Sequence, residues 1–278
     1  MSDLTVCVGT AARDVLCRTF DLAKSSIVGE FYDLKDPAVK AAIARARARN
    51  VAVDIRTEHK RHDFAGHPVL HAKAAVVDEH SAVFTTANVT RSGFESPGEV
   101  CVVDDRPSDV VAFDNAITGK AQNEDPGQRV IAGPSPAVRA AVESLLASRN
   151  DVRIASEDLS DERIICDLIS RRGAGHADRV LVNARGTMSA AQRRTVCRLQ
   201  HAGVAVRAPL KNYMHDKFVD DGDRIYVGSA NLTRNGLDEG CELGLIAPAA
   251  DFGSGADLLR RNFDEMWRDA SPISLNRT

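Results

Sequence analysis

The segment HAKAAVVD sets an imidazole, an ammonium and a carboxylate along one alternating run from His71 to Asp78, and it recurs as HDKFVDD from His215 to Asp221. After each copy comes a hydroxyl and amide segment, TTANVTRSGF (85–94) and GSANLTRNGL (228–237), and then a glutamate, Glu99 in GEVCVV and Glu242 in CELGLI. The offsets agree: 215 − 71 and 217 − 73 are both 144, while 231 − 88, 242 − 99 and 221 − 78 are all 143. One residue is missing from the second copy ahead of Asp221, and everything downstream stays in register. These residue types suit chemistry on an anion. Lys73 and Lys217 are compact positive charges, and Asn88 and Asn231 carry amide donors. Thr86 and Ser229 supply hydroxyls at matching places. Imidazole is neutral and nucleophilic near pH 7, and a second, protonated imidazole can give its proton to a leaving oxygen. One histidine cannot do both jobs at once, so such chemistry needs both copies.

The elements that must position these groups repeat as well. AKSSIVGEFYDLKDPAVKAAIARARARNVAVDI (23–55) and VRIASEDLSDERIICDLISRRGAGHADRVLV (152–182) both read strand, loop, helix, strand. Their helices carry apolar residues at helical spacing, Val39 and Ile43 in one and Ile164 and Leu168 in the other. Their strands are short and rich in Val and Ile. Alternating strands and helices predict α/β layers. The second copy has an extra helix and strand, SAAQRRTVCRLQHAGVAVRAP (189–209), where the first has only RTEHKRHDFAGHPVL. The polar TGKAQNEDPGQ (118–128) reads as the seam, giving repeats 1–122 and 123–278.

Paired HxK…D motifs, each followed by a (G/T)(S/T)AN segment and a Glu, resemble the phospholipase D superfamily, and the likeness runs from about Val6 to Trp267. The resemblance implies two tandem αβα repeats packed about a pseudo-twofold axis, with one active site at their interface. It implies phosphodiester chemistry through a covalent phosphohistidine. Lys73, Lys217, Asn88 and Asn231, with Thr86 and Ser229, would hold the non-bridging oxygens, where donors gain strength as charge grows. The family pattern gives the attack to His71 and the acid–base role to His215. It puts Glu99 and Glu242 behind the rings to fix their tautomers. Asp78 and Asp221 are expected to make supporting hydrogen bonds. Two lysines and two amides already neutralise a phosphate, so no metal or other cofactor is expected. The first copy departs from the pattern in having Thr85-Thr86 for Gly-Ser, and the loss of Gly constrains backbone approach to a phosphate.

Composition narrows the setting. A net charge of −3 gives no global push toward nucleic acid or anionic membrane. No apolar run approaches the length of a membrane span, and the start of the chain does not read as a signal peptide, so a cytoplasmic protein is expected. None of the six cysteines forms a CxxC pair, and buried thiols are expected. The run ARARARN (44–50) reads as a solvated helix face. The C-terminal LLRRNFDEMWRD (258–269) reads as a core helix with Leu259, Phe263 and Trp267 inward.

Lys60 and Arg61, in a loop that also holds His59, His62 and His67, are placed to meet phosphates flanking the cut. Those histidines could alternatively ligate zinc. Tyr213 could stack on a base or cover the core edge. The expected substrate is nucleic acid, single-stranded by preference, cut by a metal-independent nuclease. The alternatives are a phospholipase D or cardiolipin-synthase-like phosphatidyl transferase acting on phospholipid, and a non-catalytic nucleic-acid-binding module. A chain with two copies of the motif can work as a monomer.

Overall fold

In the first repeat, strand β2 (Ser26–Phe31) leads to helix α2 (Pro37–Ala48), which returns to β3 (Ala52–Thr57), parallel to β2. Asp36 ends the loop before α2 by accepting from the amides of Ala38 and Val39 at 2.9 and 3.1 Å, and Pro37 fills the first helical position. Val39 and Ile43 turn inward as their spacing predicts, each contributing about 1.5–3 kcal/mol by burial. The second repeat does the same with β8 (Arg153–Ser156), α6 (Glu162–Gly173) and β9 (Arg179–Val182), with Asp161 as the cap and Ile164 and Leu168 inward. The computed structural model describes residues 4–58, 69–120, 128–184, 188–210 and 213–273.

Two mixed sheets result. The first is completed by β1 (Leu4–Val8), β4 (Lys73–Val77), β5 (Ser81–Thr85) and β6 (Val100–Asp104), in the order β1-β6-β5-β4-β2-β3. The second adds β7 (Val130–Ala132), β10 (Ala205–Pro209), β11 (Lys217–Asp220), β12 (Arg224–Gly228), β13 (Leu243–Pro248) and β14 (Ala270–Pro272). Read from β7 its order is β7-β13-β12-β11-β8-β9-β10-β14. The first six strands follow the order of the first sheet, and the extra unit, α7 (Ala190–His201) with β10, extends the far edge. The expected seam near Gln122 lies outside the described residues. On either side of it, α4 (Pro107–Thr118) lies over β4 and β7 is already paired with β13.

Each sheet has an outer core of its own. Helix α1 (Thr10–Leu22) and α2 cover the first through Leu16, Phe20 and Val39, and the short α3 (Arg91–Phe94) adds Phe94. Helix α5 (Pro136–Leu146), α6 and α7 cover the second. A third core joins the two repeats: Ala74, Phe84, Val102 and Phe113 of the first share one cluster with Phe218, Leu245 and Phe263 of the second. Helix α8 (Ser254–Asp269) crosses onto β1, where Gly255 lies so close to Val6 that an added methyl would come within 2.6 Å of it.

Three expectations need correction. Met266, at 6% exposure, takes the inward place assigned to Trp267, which is only partly buried beneath the guanidinium groups of Arg207 and Arg179. The helical stripe passes through 259, 263 and 266, and the indole at its margin serves as a cation–π platform. Of the cysteines only Cys101 is buried; Cys166 and Cys197 face solvent on the outer sides of α6 and α7. The arginine run is not wholly solvated, because Arg45 forms a two-pronged pair with Asp21 and Arg49 caps the carbonyls of Phe20 and Ala23.

Candidate active site

Both lysines begin central strands, Lys73 on β4 and Lys217 on β11, so each histidine sits two residues before its strand at the inter-repeat surface. The main chain joins the repeats there. The amides of His71 and Ala72 donate to the Cys241 carbonyl at 2.9 and 2.8 Å, and the Cys241 amide donates to that of Val69 at 2.9 Å. On the other side, Ser96 Oγ donates to the Tyr213 carbonyl at 2.8 Å. The imidazole centroids are 6.5 Å apart.

The carboxylates are exchanged between repeats. His71 Nδ1 lies 3.0 Å from both Glu242 oxygens, while His215 Nδ1 lies 3.0 Å from Glu99 Oε1. The first contact is a hydrogen bond. The second has the length of one without its alignment, and neither atom gains another hydrogen-bond partner. An ionised carboxylate only accepts, so Glu242 keeps the proton of neutral His71 on Nδ1 and leaves the Nε2 lone pair available. Burial, followed by the charge on Lys73, lowers the His71 pKa to about 4, against the pull of Glu242. Burial pushes Glu99 and Glu242 up, but His215 together with Lys217 and Thr86, and His71 together with Lys73 and Ser229, outweigh it and hold both carboxyls below their ordinary value.

Thr86 and Ser229 are buried and bond these carboxylates. Thr86 Oγ1 donates to Glu99 Oε2 at 2.5 Å, and Ser229 Oγ donates to Glu242. They accept in turn from the amides of Val100 and Leu243 at 2.9 and 3.0 Å. Their hydroxyls therefore buttress the Glu–His pairs instead of reaching a phosphate, as the sequence reading had them do. Thr85, which replaces the motif glycine, donates to the Val100 carbonyl at 2.8 Å and is spent on main chain. Its counterpart Gly228 packs against Tyr226 and Gly244, not against a ligand space.

The lysines are fully buried, and each donates to the carbonyl of its own histidine at 2.5 Å. Burial lowers the Lys73 pKa to about 7, although Glu242 opposes the fall. Asn88 Nδ2 is 3.5 Å from His215 Nε2. Asn231 Nδ2 donates to Glu157 Oε2 at 3.3 Å. Tyr213, 44% exposed, lies nearly parallel to the His215 ring, 6.3 Å between centroids.

Asp78 and Asp221 stand apart from this cluster. Asp78 accepts from the amides of Lys24, Ser25 and Ser26 at 2.7–2.9 Å, tying the β4–β5 turn to the start of β2. Burial raises its pKa, but those amides prevail and bring it to about 2. Asp221 closes the β11–β12 turn by accepting from the amides of Asp223 and Arg224. Lys60 and Arg61, with His59, His62 and His67, lie outside the described residues.

Sequence reasoning missed Glu157 and Tyr32. Glu157 Oε2 is 3.1 Å from Lys217 Nζ and 3.2 Å from His215 Nε2, and Tyr213 donates its hydroxyl to the other oxygen. Burial raises its carboxyl, but Lys217, then His215 and the Tyr213 hydroxyl, hold it well below the carboxylate range. Likeness of IVGE to IASE would match Glu157 with Glu30. Hydrogen-bond register matches it with Tyr32: the Tyr32 amide donates to Ala72 and the Glu157 amide to Asp216, and 216 − 72 is the offset of 144. Tyr32 lies beneath Lys73 Nζ, 5.4 Å from its ring centre, and meets the edge of His71. Glu30 instead pairs with Arg56 at 2.9 Å. An acid closing a strand gave no signal without that register.

Residues 142–267 match the family model described as "Cardiolipin synthase, PLD-like domain". No curated protein matches the sequence. Among solved structures, the chain is similar to phosphatidylserine synthase of Haemophilus influenzae Rd KW20, with TM-score 0.72 and 12% identity, covering 98% of this chain and 87% of that one. Polyphosphate kinase of Porphyromonas gingivalis gives TM-score 0.60 at 14% identity over 95% of this chain and 46% of that one. The H432R mutant of yeast tyrosyl-DNA phosphodiesterase 1 gives 0.51 at 9% identity, covering 90% of each chain.

Proposed function

We propose that this chain, a member of the phospholipase D superfamily, is a metal-independent phosphodiesterase that cuts nucleic acid through a covalent phosphohistidine. The observation that carries the chemistry is the exchanged pair of His–Glu contacts around two imidazoles 6.5 Å apart. His71 Nε2 attacks phosphorus, and the bond to the leaving oxygen breaks as His215 gives that oxygen its proton. Water then attacks the same phosphorus, His215 takes a proton from it, and the N–P bond breaks to restore His71. Lys73, Lys217, Asn88 and Asn231 stabilise charge on the non-bridging oxygens. Glu99 and Glu242, held by Thr86 and Ser229, orient the rings.

Nucleic acid is favoured by the exposed Tyr213 ring beside His215, a surface on which a base can stack. In this reading the protein acts in the cytoplasm as a monomer that contains both half-sites. A phospholipid reading rests on a different observation: Val69 and Leu210, 44% and 68% exposed, lie two and five residues ahead of His71 and His215 in sequence and could meet acyl chains. No described helix is long and apolar enough to cross a membrane. Labelled single-stranded DNA incubated with the protein in EDTA separates these readings, with His71→Ala as control. Shorter products from wild type alone are expected. If the DNA stays intact while phosphatidylglycerol vesicles are hydrolysed or transphosphatidylated, the nuclease assignment is overturned.

A further inference from the structure

The two halves of the site are not chemically equivalent. Where the first repeat places the Tyr32 ring against Lys73, the second places the Glu157 carboxylate against Lys217. Glu157 Oε2 lies 3.1 Å from Lys217 Nζ, 3.3 Å from Asn231 Nδ2 and 3.2 Å from His215 Nε2. Those are the C-terminal groups assigned above to a phosphodiester, so the carboxylate stands where phosphate oxygens would be received. The Tyr213 hydroxyl anchors its other oxygen. The side chain is 20% exposed, so it is reachable from the mouth of the site. Two lysines in this cluster face three carboxylates, Glu99, Glu242 and Glu157, and each carboxylate reduces the charge of anion the site can hold.

We infer that Glu157 is a specificity-determining residue: a built-in anion that makes the site accept singly charged phosphodiesters and reject doubly charged phosphomonoesters. This rests on the phosphodiesterase reading of the site. A diester brings one negative charge and exchanges with Glu157 for the lysine, amide and imidazole donors. A monoester brings two, and meets a carboxylate that burial keeps poorly screened. The same repulsion expels a phosphomonoester product once the N–P bond is broken, and leaves a terminal phosphate unbound.

The test compares two tetrahedral anions of fixed charge that have no ester to cleave: sulfate, doubly charged, and methanesulfonate, singly charged. Their affinities are measured by calorimetry near neutral pH for wild type, Glu157→Gln and Glu157→Asp. Wild type should bind methanesulfonate in preference to sulfate. Glu157→Gln should shift that preference toward sulfate by about tenfold or more, and Glu157→Asp should stay close to wild type. An unchanged preference in Glu157→Gln, with both anions still bound, would overturn the role of Glu157 and leave the phosphodiesterase reading standing. Failure of both anions to bind any of the three proteins would overturn that reading as well.

Discussion

At the scale of single residues, the account turns on one proton position. Glu242 keeps the proton of neutral His71 on Nδ1, so Nε2 is free to attack. Glu242→Gln would present an amide donor to Nδ1, move the ring proton to Nε2 and block the nucleophile. A loss of about 10²–10⁴-fold in kcat is expected, with an unchanged circular dichroism spectrum. A near-normal kcat would show that Glu242 does not set the tautomer. His215→Ala should cost about 10²–10⁴-fold for an ordinary leaving group, and much less for a p-nitrophenyl diester, whose leaving oxygen needs little protonation. The pH profile has a defined sign. Below about 4 His71 is protonated and cannot attack; above about 7 Lys73 loses the charge that stabilises the phosphoryl oxygens. The profile of kcat/KM should therefore be a bell between these limits, and a flat profile from pH 4 to 9 would contradict both assignments. The residues of the candidate site were legible in the sequence because their types and offsets repeat. The exchange of glutamates was not, because the motif puts each Glu in the same repeat as its own histidine and only tertiary packing crosses them.

At the scale of elements, central strands hold the site in place. Both HxK segments lead into strands with neighbours on either side, and Ser229 and Glu242 lie just past the end of β12 and just before β13. The paired strands β12 and β13 pass closely at two glycines. A Cβ on Gly228 would lie 2.5 Å from the Tyr226 hydroxyl and 2.9 Å from the Gly244 Cα. Gly228→Ala is thus expected to lower stability by about 1–3 kcal/mol in urea unfolding, the usual cost of overpacking. A loss below about 0.5 kcal/mol would mean that these strands can separate freely. The α/β layering was legible from the period of the apolar residues. The placement of Glu157 was not, because aligning IVGE with IASE by likeness is two residues away from the hydrogen-bond register that pairs it with Tyr32.

At the scale of the molecule, the repeats act as one body because a buried charge cluster and a shared core join them. Arg129 reaches Asp104 and Asp109 of the first repeat and, at 2.7 Å, Asp251 of the second. Arg129→Met would leave the buried carboxylates of Asp104 and Asp109 without their cation. A cost of about 3–5 kcal/mol is expected in thermal or urea unfolding, and a change below about 1 kcal/mol would show that the apolar core joins the repeats unaided. The two-repeat plan was legible from the offsets of 144 and 143, but that α8 spans both sheets was not, since an amphipathic stripe does not say which surface it covers. The most direct test of one divided active site is to locate the covalent intermediate. The protein is quenched at alkaline pH during turnover of a p-nitrophenyl phosphodiester, and the phosphoryl adduct is mapped by mass spectrometry. We predict an adduct on His71, retained in His215→Ala and absent in His71→Ala; turnover without any histidine adduct, or an adduct on His215 alone, would contradict the account.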